Sequence, residues 1–239
     1  MATVSRAAVD AAALRRARVD MAVLLRAAAR HGFNESIDNH FSLALPGRDD
    51  LFLLNRYGPH WSEITPADIL LIDLEGNVVD GEHAPSSDTA AHAYVYRHMP
   101  EVGGVVHTHS TYATAWAARG EPIPCVLTMV ADEFGGEVPV GPFALIGDDA
   151  IGRGIVDTLR HSRSRAVLMA GHGPFTIGRD ARDAVKAAVM LEDVARTVHV
   201  ARQLGEPAAI ASADVTSLFE RYQNVYGQNI TDVEGQEPT

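Results

Sequence analysis

The chain has 239 residues, 46% hydrophobic and 21% charged, which is a balance typical of a soluble globular protein. Its net charge of −11, without any cluster of Lys and Arg, argues against nucleic acid or an anionic membrane as a partner. A single cysteine excludes an internal disulfide and indicates a reducing, cytoplasmic environment, and no apolar run is long enough to cross a bilayer.

Hydrophobic periodicity and the positions of turn residues predict helices at both ends and strands between them. Within the first segment, Asp10 and Asp20 in a continuous helical pattern favour an ordinary helix over a transit peptide. In chain order, the predicted elements are a helix at 4–31, strands at 41–45 and 51–54, a helical turn at 65–68, a hairpin of 69–74 with 78–79, a helix at 87–99, a strand within 103–110, a helix at 111–119, a helix at 148–160, strands at 166–169 and 175–177, and helices at 180–204 and 212–224.

This order of elements predicts an α/β fold in which helices cover a mostly antiparallel sheet. We expect one domain over residues 1–239, because no boundary divides the sequence. A doubly wound nucleotide-binding sheet is the structural alternative, but no Gly-x-Gly-x-x-Gly motif follows an early strand. Residues 147–152 contain an acidic pair that would repel phosphate, so they are predicted to start a helix.

Three histidines suggest a metal site. His107 and His109 lie two apart in a β-type run, so strand alternation would direct both imidazoles to one side. His172 follows another apolar strand and stands between two glycines, where it would complete a three-histidine site with an open position. A His-x-His pair alone is equally typical of polar residues at a strand end. Neutral imidazole accepts zinc, manganese, iron or cobalt, so the sequence leaves the metal open.

A carboxylate is expected beside three neutral imidazoles, and Asp88 is the best candidate. It stands at the predicted start of a helix, where backbone N–H groups and the helix dipole favour an anion. The plainer alternative is an aspartate that only caps this helix.

Three short motifs occur in a fixed order: Pro-Ser-Ser-Asp at 85–88, His-Thr-His-Ser at 107–110 and Gly-His-Gly at 171–173. Together they resemble the class II aldolase family, which includes fuculose-phosphate-type aldolases and L-ribulose-5-phosphate 4-epimerase. The resemblance runs from about residue 84 to 228. It implies that His107, His109 and His172 are metal ligands, with Asp88 as a fourth ligand or an acid/base. It also implies a three-layer α/β/α sandwich around a predominantly antiparallel sheet.

Two further matches point to the epimerase branch of this family. Residues 131–135 and the terminal Tyr-Gly-Gln at 226–228 resemble that branch, which implies that Asp132 and Tyr226 carry protons and that Thr128 lies nearby. The family usually forms four-fold tetramers with sites between subunits. The resemblance therefore implies a homotetramer in which Tyr226 reaches the site of a neighbouring subunit.

The N-terminal third departs from the branches that bind sugar phosphates. Those branches carry a small-Gly-Asn-x-Ser stretch, and here Asn39 and Ser42 fit it while Asp38 replaces the glycine. An aspartate at that position would oppose a phosphate. Ser86 and Ser87, which belong to the substrate-binding part of the pattern, are retained.

A second phosphate loop of the family, Pro-Ser/Thr-Gly, is also changed here. Tyr57 replaces the small hydroxyl residue, and Arg56 and His60 bring possible partners for a carboxylate. Tyr57 and Trp61 could equally be core aromatics, and His60 a surface histidine. As a group, these residues resemble family members that act on non-phosphorylated acids, including decarboxylases of hydroxylated aromatic dicarboxylates.

We therefore expect a divalent-metal lyase that cleaves a C–C bond, by aldol cleavage or decarboxylation, through a metal-stabilised enediolate. Its substrate would be a small molecule, namely a non-phosphorylated hydroxy-acid or a dihydroxy-aromatic carboxylate such as a dihydroxyphthalate. The enzyme alternative is L-ribulose-5-phosphate 4-epimerase. The non-enzyme alternative is a scaffold domain of the adducin type, which would not need the three histidines.

Overall fold

The described part of the chain is built on one eight-stranded sheet. The computed structural model describes residues 9–33 and 38–226. The expected helix start at 4–8, Ser36 of the small-Gly-Asn-x-Ser stretch and the terminal residues 227–228 lie outside these ranges. The strands are β1 (His40–Ala44), β2 (Leu51–Asn55), β3 (Ile69–Asp73), β4 (Val78–Asp80), β5 (Gly104–His107), β6 (Val140–Gly141), β7 (Ala166–Met169) and β8 (Gly173–Gly178).

The strand order is β4-β3-β2-β1-β5-β8-β7-β6. All neighbouring strands pair antiparallel except β6 and β7, which are parallel. The prediction of a mostly antiparallel sheet is confirmed.

The described residues contain seven α-helices, and none of them is long and apolar enough to span a membrane. Short 3-10 turns occupy Trp61–Glu63 and Pro66–Asp68, the second of which was predicted from its Thr65 cap. The α-helices are α1 (Ala11–Arg30), α2 (Thr89–His98), α3 (Thr111–Arg119), α4 (Thr128–Phe134), α5 (Ala150–Leu159), α6 (Ala181–Leu204) and α7 (Ser212–Asn224).

The sheet is buried on both faces, as strand β2 illustrates. Leu51 and Leu53 belong to a core formed with α1 and part of α6, whereas Phe52 and Leu54 belong to a core formed with α2 and α5. Because side chains alternate across a strand, a continuous apolar run of this kind supplies both cores at once. The α/β/α layers expected from the sequence are confirmed.

Two elements were not predicted from the sequence, namely α4 and β6. Helix α4 has only seven residues, and its N-cap Leu127 makes no side-chain hydrogen bond to the helix. Strand β6 has two residues and pairs only with β7. Short elements without capping or alternation carry little local signal, so their formation depends on the rest of the fold.

The strand that carries the first two histidines is held close to α6 by glycines. A Cβ at Gly103, Gly104 or Gly178 would collide with backbone atoms of residues 179–184, where α6 begins. The N-terminal end of α6 therefore rests directly on β5 and β8. This contact fixes the centre of the sheet, from which the histidines project.

Candidate metal centre

Three histidines converge where β5 ends. His107 is the last residue of β5 and lies opposite His40 of β1 and Phe175 of β8. His109 follows outside the strand, and His172 lies in the turn between β7 and β8. One nitrogen atom of each of the three imidazoles lies within 4.8 Å of the others, a spacing that could hold a cation.

Different contacts position His109 and His172. Strand β5 ends at His107, so the predicted alternation does not extend to His109. Instead, the backbone N–H of His109 donates to Asn39 Oδ1 at 2.7 Å. Gly171, at a φ of +67°, allows the tight turn that brings the His172 ring centroid to 4.6 Å from that of His107.

Two of these histidines and the neighbouring Asp88 have buried side-chain atoms without a hydrogen-bond partner in the described residues. His107 Nδ1 donates to the carbonyl oxygen of Pro174 at 2.9 Å, which leaves Nε2 as a buried lone pair. Asp88 Oδ1 and His172 Nδ1 are likewise unpartnered. Buried polar atoms rarely stay unpaired in native proteins, and a cation would satisfy this donor set.

Charge states favour the same interpretation. Burial, followed by the neighbouring histidines, lowers the pKa of His107 well below its ordinary value, and burial also lowers the pKa of His109 and of His172. Burial alone would raise the pKa of Asp88, but contact with His40 and the nearby His172 outweighs it and lowers that pKa. The site therefore offers neutral imidazoles beside an ionised carboxylate.

Asp88 is more than a helix cap. It is the N-cap residue of α2, yet its side chain makes no capping hydrogen bond. The carboxylate turns towards the histidines instead, with Oδ2 at 3.3 Å from His40 Nε2 and 3.9 Å from His172 Nε2. It is almost fully buried.

The structure adds three residues that sequence reasoning did not assign to the site, namely His40, His92 and Tyr96, and it connects them through Ser42. His40 Nδ1 lies 2.6 Å from His92 Nε2, and His92 Nδ1 lies 2.6 Å from Ser42 Oγ. Ser42 Oγ in turn lies 2.7 Å from the hydroxyl of Tyr96. The available signal was a spacing of four from Asp88 to His92 and again to Tyr96, together with a His-x-Ser pair on β1.

Of the expected substrate-binding residues, Asn39 and Ser86 lie beside this cluster. Asn39 is buried, and its Nδ2 has no partner within the described part of the chain. Ser86 Oγ accepts from the backbone N–H of Asp88 at 3.4 Å, while Ser87 is exposed. Asp38 is exposed and close enough to counteract the lowering of the His109 pKa by burial.

The second expected loop lies beside the segment that leads to Asp88. Tyr57 donates its backbone N–H to Ala84 and is 50% exposed, so it is not a core aromatic. Trp61, by contrast, is buried against Phe41 and is therefore a core aromatic. Arg56 Nε pairs with Asp68 at 2.5 Å, whereas the exposed His60 caps a 3-10 turn and contacts Ser62 Oγ at 2.7 Å.

The expected proton carriers form a separate group around α7. Asp132 of α4 lies 3.6 Å from Arg221, and the Tyr226 ring, 61% exposed, stacks on Tyr222 at 5.6 Å between centroids. Thr128 is an exposed residue at the start of α4. Across residues 9–33 and 38–226, no hydrogen bond or ion pair links Asp132 or Tyr226 to the histidines.

The sheet and the site define the class of the protein: an α/β protein whose buried histidines and aspartate could hold a divalent cation. The chain belongs to the Class II Aldolase and Adducin N-terminal domain family, whose sequence model matches residues 19–199, more than half of the chain. The resemblance noted from the motifs is thereby confirmed. Members of this family are generally metal-dependent enzymes.

Solved structures share the fold along nearly the whole chain. An L-fuculose 1-phosphate aldolase, 24% identical, covers 92% of this chain and 100% of its own, with a TM-score of 0.80. YgbL from Klebsiella pneumoniae, broadly described as an aldolase/epimerase/decarboxylase, is 28% identical over 86% of this chain and 98% of its own, with a TM-score of 0.75. An aldolase II superfamily protein from Pseudomonas syringae is 22% identical over 96% of this chain and 92% of its own, with a TM-score of 0.80.

Proposed function

We propose that the protein is a divalent-metal-dependent lyase that cleaves a C–C bond of a non-phosphorylated hydroxylated carboxylic acid, by aldol cleavage or decarboxylation. The observation that carries the proposal is the unpartnered His107 Nε2 in a residue whose ligand atom lies within 4.8 Å of one from the buried Asp88. His107, His109 and His172 would hold the ion, with Asp88 as a fourth ligand or as the acid/base beside it. The donor set accepts zinc, manganese, iron or cobalt.

When bound, such an ion polarises a carbonyl and an adjacent hydroxyl oxygen and stabilises negative charge that develops on them. The residues of this chain supply the remaining functions. Asp88 holds its Oδ2 towards His40, so Oδ1 is the oxygen left to bind the ion or to take or release a proton. Asn39 Nδ2 is a buried donor beside His109 and would orient a substrate oxygen.

Charge near the site favours a carboxylate over a phosphate. Asp38 is close enough to act on the pKa of both His109 and His172. Repulsion between two like unit charges at about 4 Å costs about 1 kcal/mol in water and about 4 kcal/mol at a surface-like dielectric. For a dianionic phosphate this cost is doubled. Among the described residues, Arg56 hydrogen-bonds to Asp68 through Nε and makes no hydrogen bond through its terminal nitrogens, which would be available to a carboxylate.

Exposed aromatic side chains beside the site favour a flat substrate. The Phe143 ring, largely exposed, approaches Gly171 next to His172, and the exposed Tyr57 adjoins the segment leading to Asp88. These two rings would border the site with apolar surface. A dihydroxy-aromatic carboxylate such as a dihydroxyphthalate matches both the rings and the arginine.

The test is a direct comparison of two substrate classes with protein loaded with zinc or with manganese. We expect release of CO₂ or of an aldehyde from hydroxylated or dihydroxy-aromatic acids, and little turnover of L-ribulose 5-phosphate or L-fuculose 1-phosphate. The matched variant Asp38→Gly should raise activity on the sugar phosphates relative to the acids. Efficient turnover of a sugar phosphate by the unmodified protein would overturn the substrate proposal.

The alternative enzyme is L-ribulose-5-phosphate 4-epimerase, and it is supported by Asp132 and Tyr226. The exposure of Tyr226 fits a residue that completes the site of a neighbouring subunit in a homotetramer. Formation of the epimer in the assay above would establish this alternative. The scaffold domain of the adducin type ranks last, and purified protein that binds no divalent metal would favour it.

A further inference from the structure

A buried chain of polar side chains runs from the metal centre into the core. Strand β1 presents His40 and Ser42 on one face, two residues apart, and the α2 segment presents Asp88, His92 and Tyr96 four residues apart. The two rows interleave, so that contacts run in the order Asp88, His40, His92, Ser42, Tyr96. All five residues are at most 7% exposed.

The direction of every hydrogen bond in this chain is determined once Asp88 Oδ2 accepts from a neutral His40 ring. An ionised carboxylate only accepts, so His40 Nε2 must carry a proton, and a neutral His40 then accepts at Nδ1. His92 therefore donates from Nε2 and accepts at Nδ1, where the Ser42 hydroxyl donates. The Tyr96 hydroxyl finally donates to Ser42 Oγ. With this arrangement, every polar atom along the chain from Tyr96 to Asp88 Oδ2 has a partner.

We propose that His92, Ser42 and Tyr96 are positioning residues that fix His40 as a donor to Asp88 Oδ2 and so reserve Asp88 Oδ1 for the cation. The inference rests on the proposed function, because it assigns partners to the same metal centre. Burial, together with His40, lowers the pKa of His92 well below its ordinary value, which agrees with a neutral ring in the middle of the chain. Outer partners of this kind orient the groups that bind metals.

A merely structural network would make a different prediction. Buried polar groups need partners for stability whatever their direction, so loss of one partner would lower stability without changing the metal centre. A positioning chain, by contrast, acts on the tautomer of His40 and on the affinity for the cation. Both quantities are measurable with the full chain.

The first measurement is the tautomeric state of the histidine rings in metal-free protein, by ¹⁵N NMR of histidine-labelled full chain. We expect His40 and His92 both as Nε2–H tautomers. In His92→Met the His40 signal should move towards a mixture of tautomers, whereas His92→Gln should preserve it, since the amide both donates and accepts. A His92 ring protonated on Nδ1 in the parent protein would reverse the chain and overturn the proposal.

The second measurement is zinc affinity by competition with a chelator. Loss of an outer partner typically weakens binding about 10- to 100-fold, and we expect His92→Met to fall in that range while His92→Gln recovers most of the loss. Ser42→Ala and Tyr96→Phe should have progressively smaller effects, because they lie farther from Asp88. Tyr94→Phe removes a hydroxyl from the same helix outside the chain and is the control.

The outcomes separate this proposal from the proposed function. Zinc affinity unchanged in His92→Met would overturn the positioning role, even if its stability falls. If His92→Met does not fold, Ser42→Ala and Tyr96→Phe decide by the same two measurements, and parental tautomers and affinity in both would overturn it. A parent protein that binds no divalent metal would defeat the proposed function, and with it the role reserved for Asp88 Oδ1. The tautomers would then show only whether the hydrogen bonds donate in the direction from Tyr96 towards Asp88.

Discussion

Two groups of titratable residues in the described part of the chain, the candidate metal centre and the group around α7, pair their charges differently. At the metal centre, side chains from β1, β5, α2 and the β7–β8 turn face one another, and within the described residues no lysine or arginine forms an ion pair with Asp88. Around α7, opposite charges pair directly. Lys186 lies 3.0 Å from Glu133 and 3.2 Å from Asp183, and Arg165 also pairs with Asp183.

Because of this difference, the metal centre could hold an ion, whereas the ion pairs around α7 hold a helix in place. Carboxylates already neutralised by lysine and arginine have little affinity left for a cation. The α7 group instead docks the last helix, since Arg165 also donates to Gln223 at 2.8 Å. Asp132 and Tyr226, towards the surface of that group, are the two residues for which we propose a role in the site of another chain.

The largest expected effect is the loss of bound metal from the metal centre, with the rest of the fold retained. We expect His172→Ala to remove a bound ion, about one per chain in a site of this type, because a three-histidine site has no spare ligand. Metal content after dialysis measures it, and circular dichroism monitors the fold. The exposed His161→Ala is the control. Full zinc content in His172→Ala would contradict the ligand assignment.

The second largest effect distinguishes the α7 group from the metal centre, because it lowers turnover and leaves metal content unchanged. We expect Tyr226→Phe and Asp132→Asn to lower turnover by about 10²- to 10⁴-fold, the usual contribution of a general acid or base, with metal content unchanged. Mixed oligomers of Tyr226→Phe with His109→Ala should regain part of the activity, because each supplies what the other lacks. Mixed oligomers that form but stay inactive would contradict a shared site.

A third prediction concerns the stability of the α7 group. Glu133 is fully buried, and burial raises its pKa even though Lys186 opposes that rise. Removing one partner of a buried ion pair costs about 3–5 kcal/mol, and Lys186→Met should reach no more than the lower end because Lys186 is 40% exposed. Urea unfolding measures it, with exposed Arg153→Met as control.

The added substitution Glu133→Gln should recover much of the stability lost in Lys186→Met, because it removes the uncompensated charge while keeping the shape. Equal stability of the single and double variants would contradict the idea that an uncompensated charge on Glu133 causes the loss.

The smallest effect is a pH dependence. Burial alone would raise the pKa of Asp183, but the backbone N–H of Arg179 and the charges of Arg165 and Lys186 lower it to about 2. Because the folded pKa lies below the unfolded value, this carboxylate stabilises the fold above pH about 4, and that contribution is lost as pH falls towards about 2. Unfolding free energies over this range should therefore decline less steeply in Asp183→Asn. An identical acid slope would contradict the assignment.

Much of the fold was predictable because its elements carry local signals. Helix α6 begins after the capping Asp180 and ends before Gly205, and α3 ends at Gly120 in a left-handed conformation. Helix α4 escaped prediction because its cap residue, Leu127, is apolar. Its position depends on packing against α7 and α6, which no local pattern describes.

The candidate site was predictable only in part, and for a similar reason. The histidine motifs name His107, His109 and His172, but His40, the partner of Asp88 on β1, belongs to none of these motifs. The contact between His40 and His92 spans 52 residues and depends on strand register, which a spacing rule does not supply. Likewise, His109 reaches the site through Asn39, a contact across 70 residues, and not through strand alternation.

The two edges of the sheet have a practical consequence for handling the protein. Strand β4 offers three residues and β6 only two, whereas the apolar strands β2 and β3 lie inside the sheet. Exposed strand edges are the usual templates for growth of one sheet onto another, and very short edges give little to build on. Concentrated solutions should accordingly resist fibril formation, and the seeds for any aggregation would come from partly unfolded chains that expose β2 or β3.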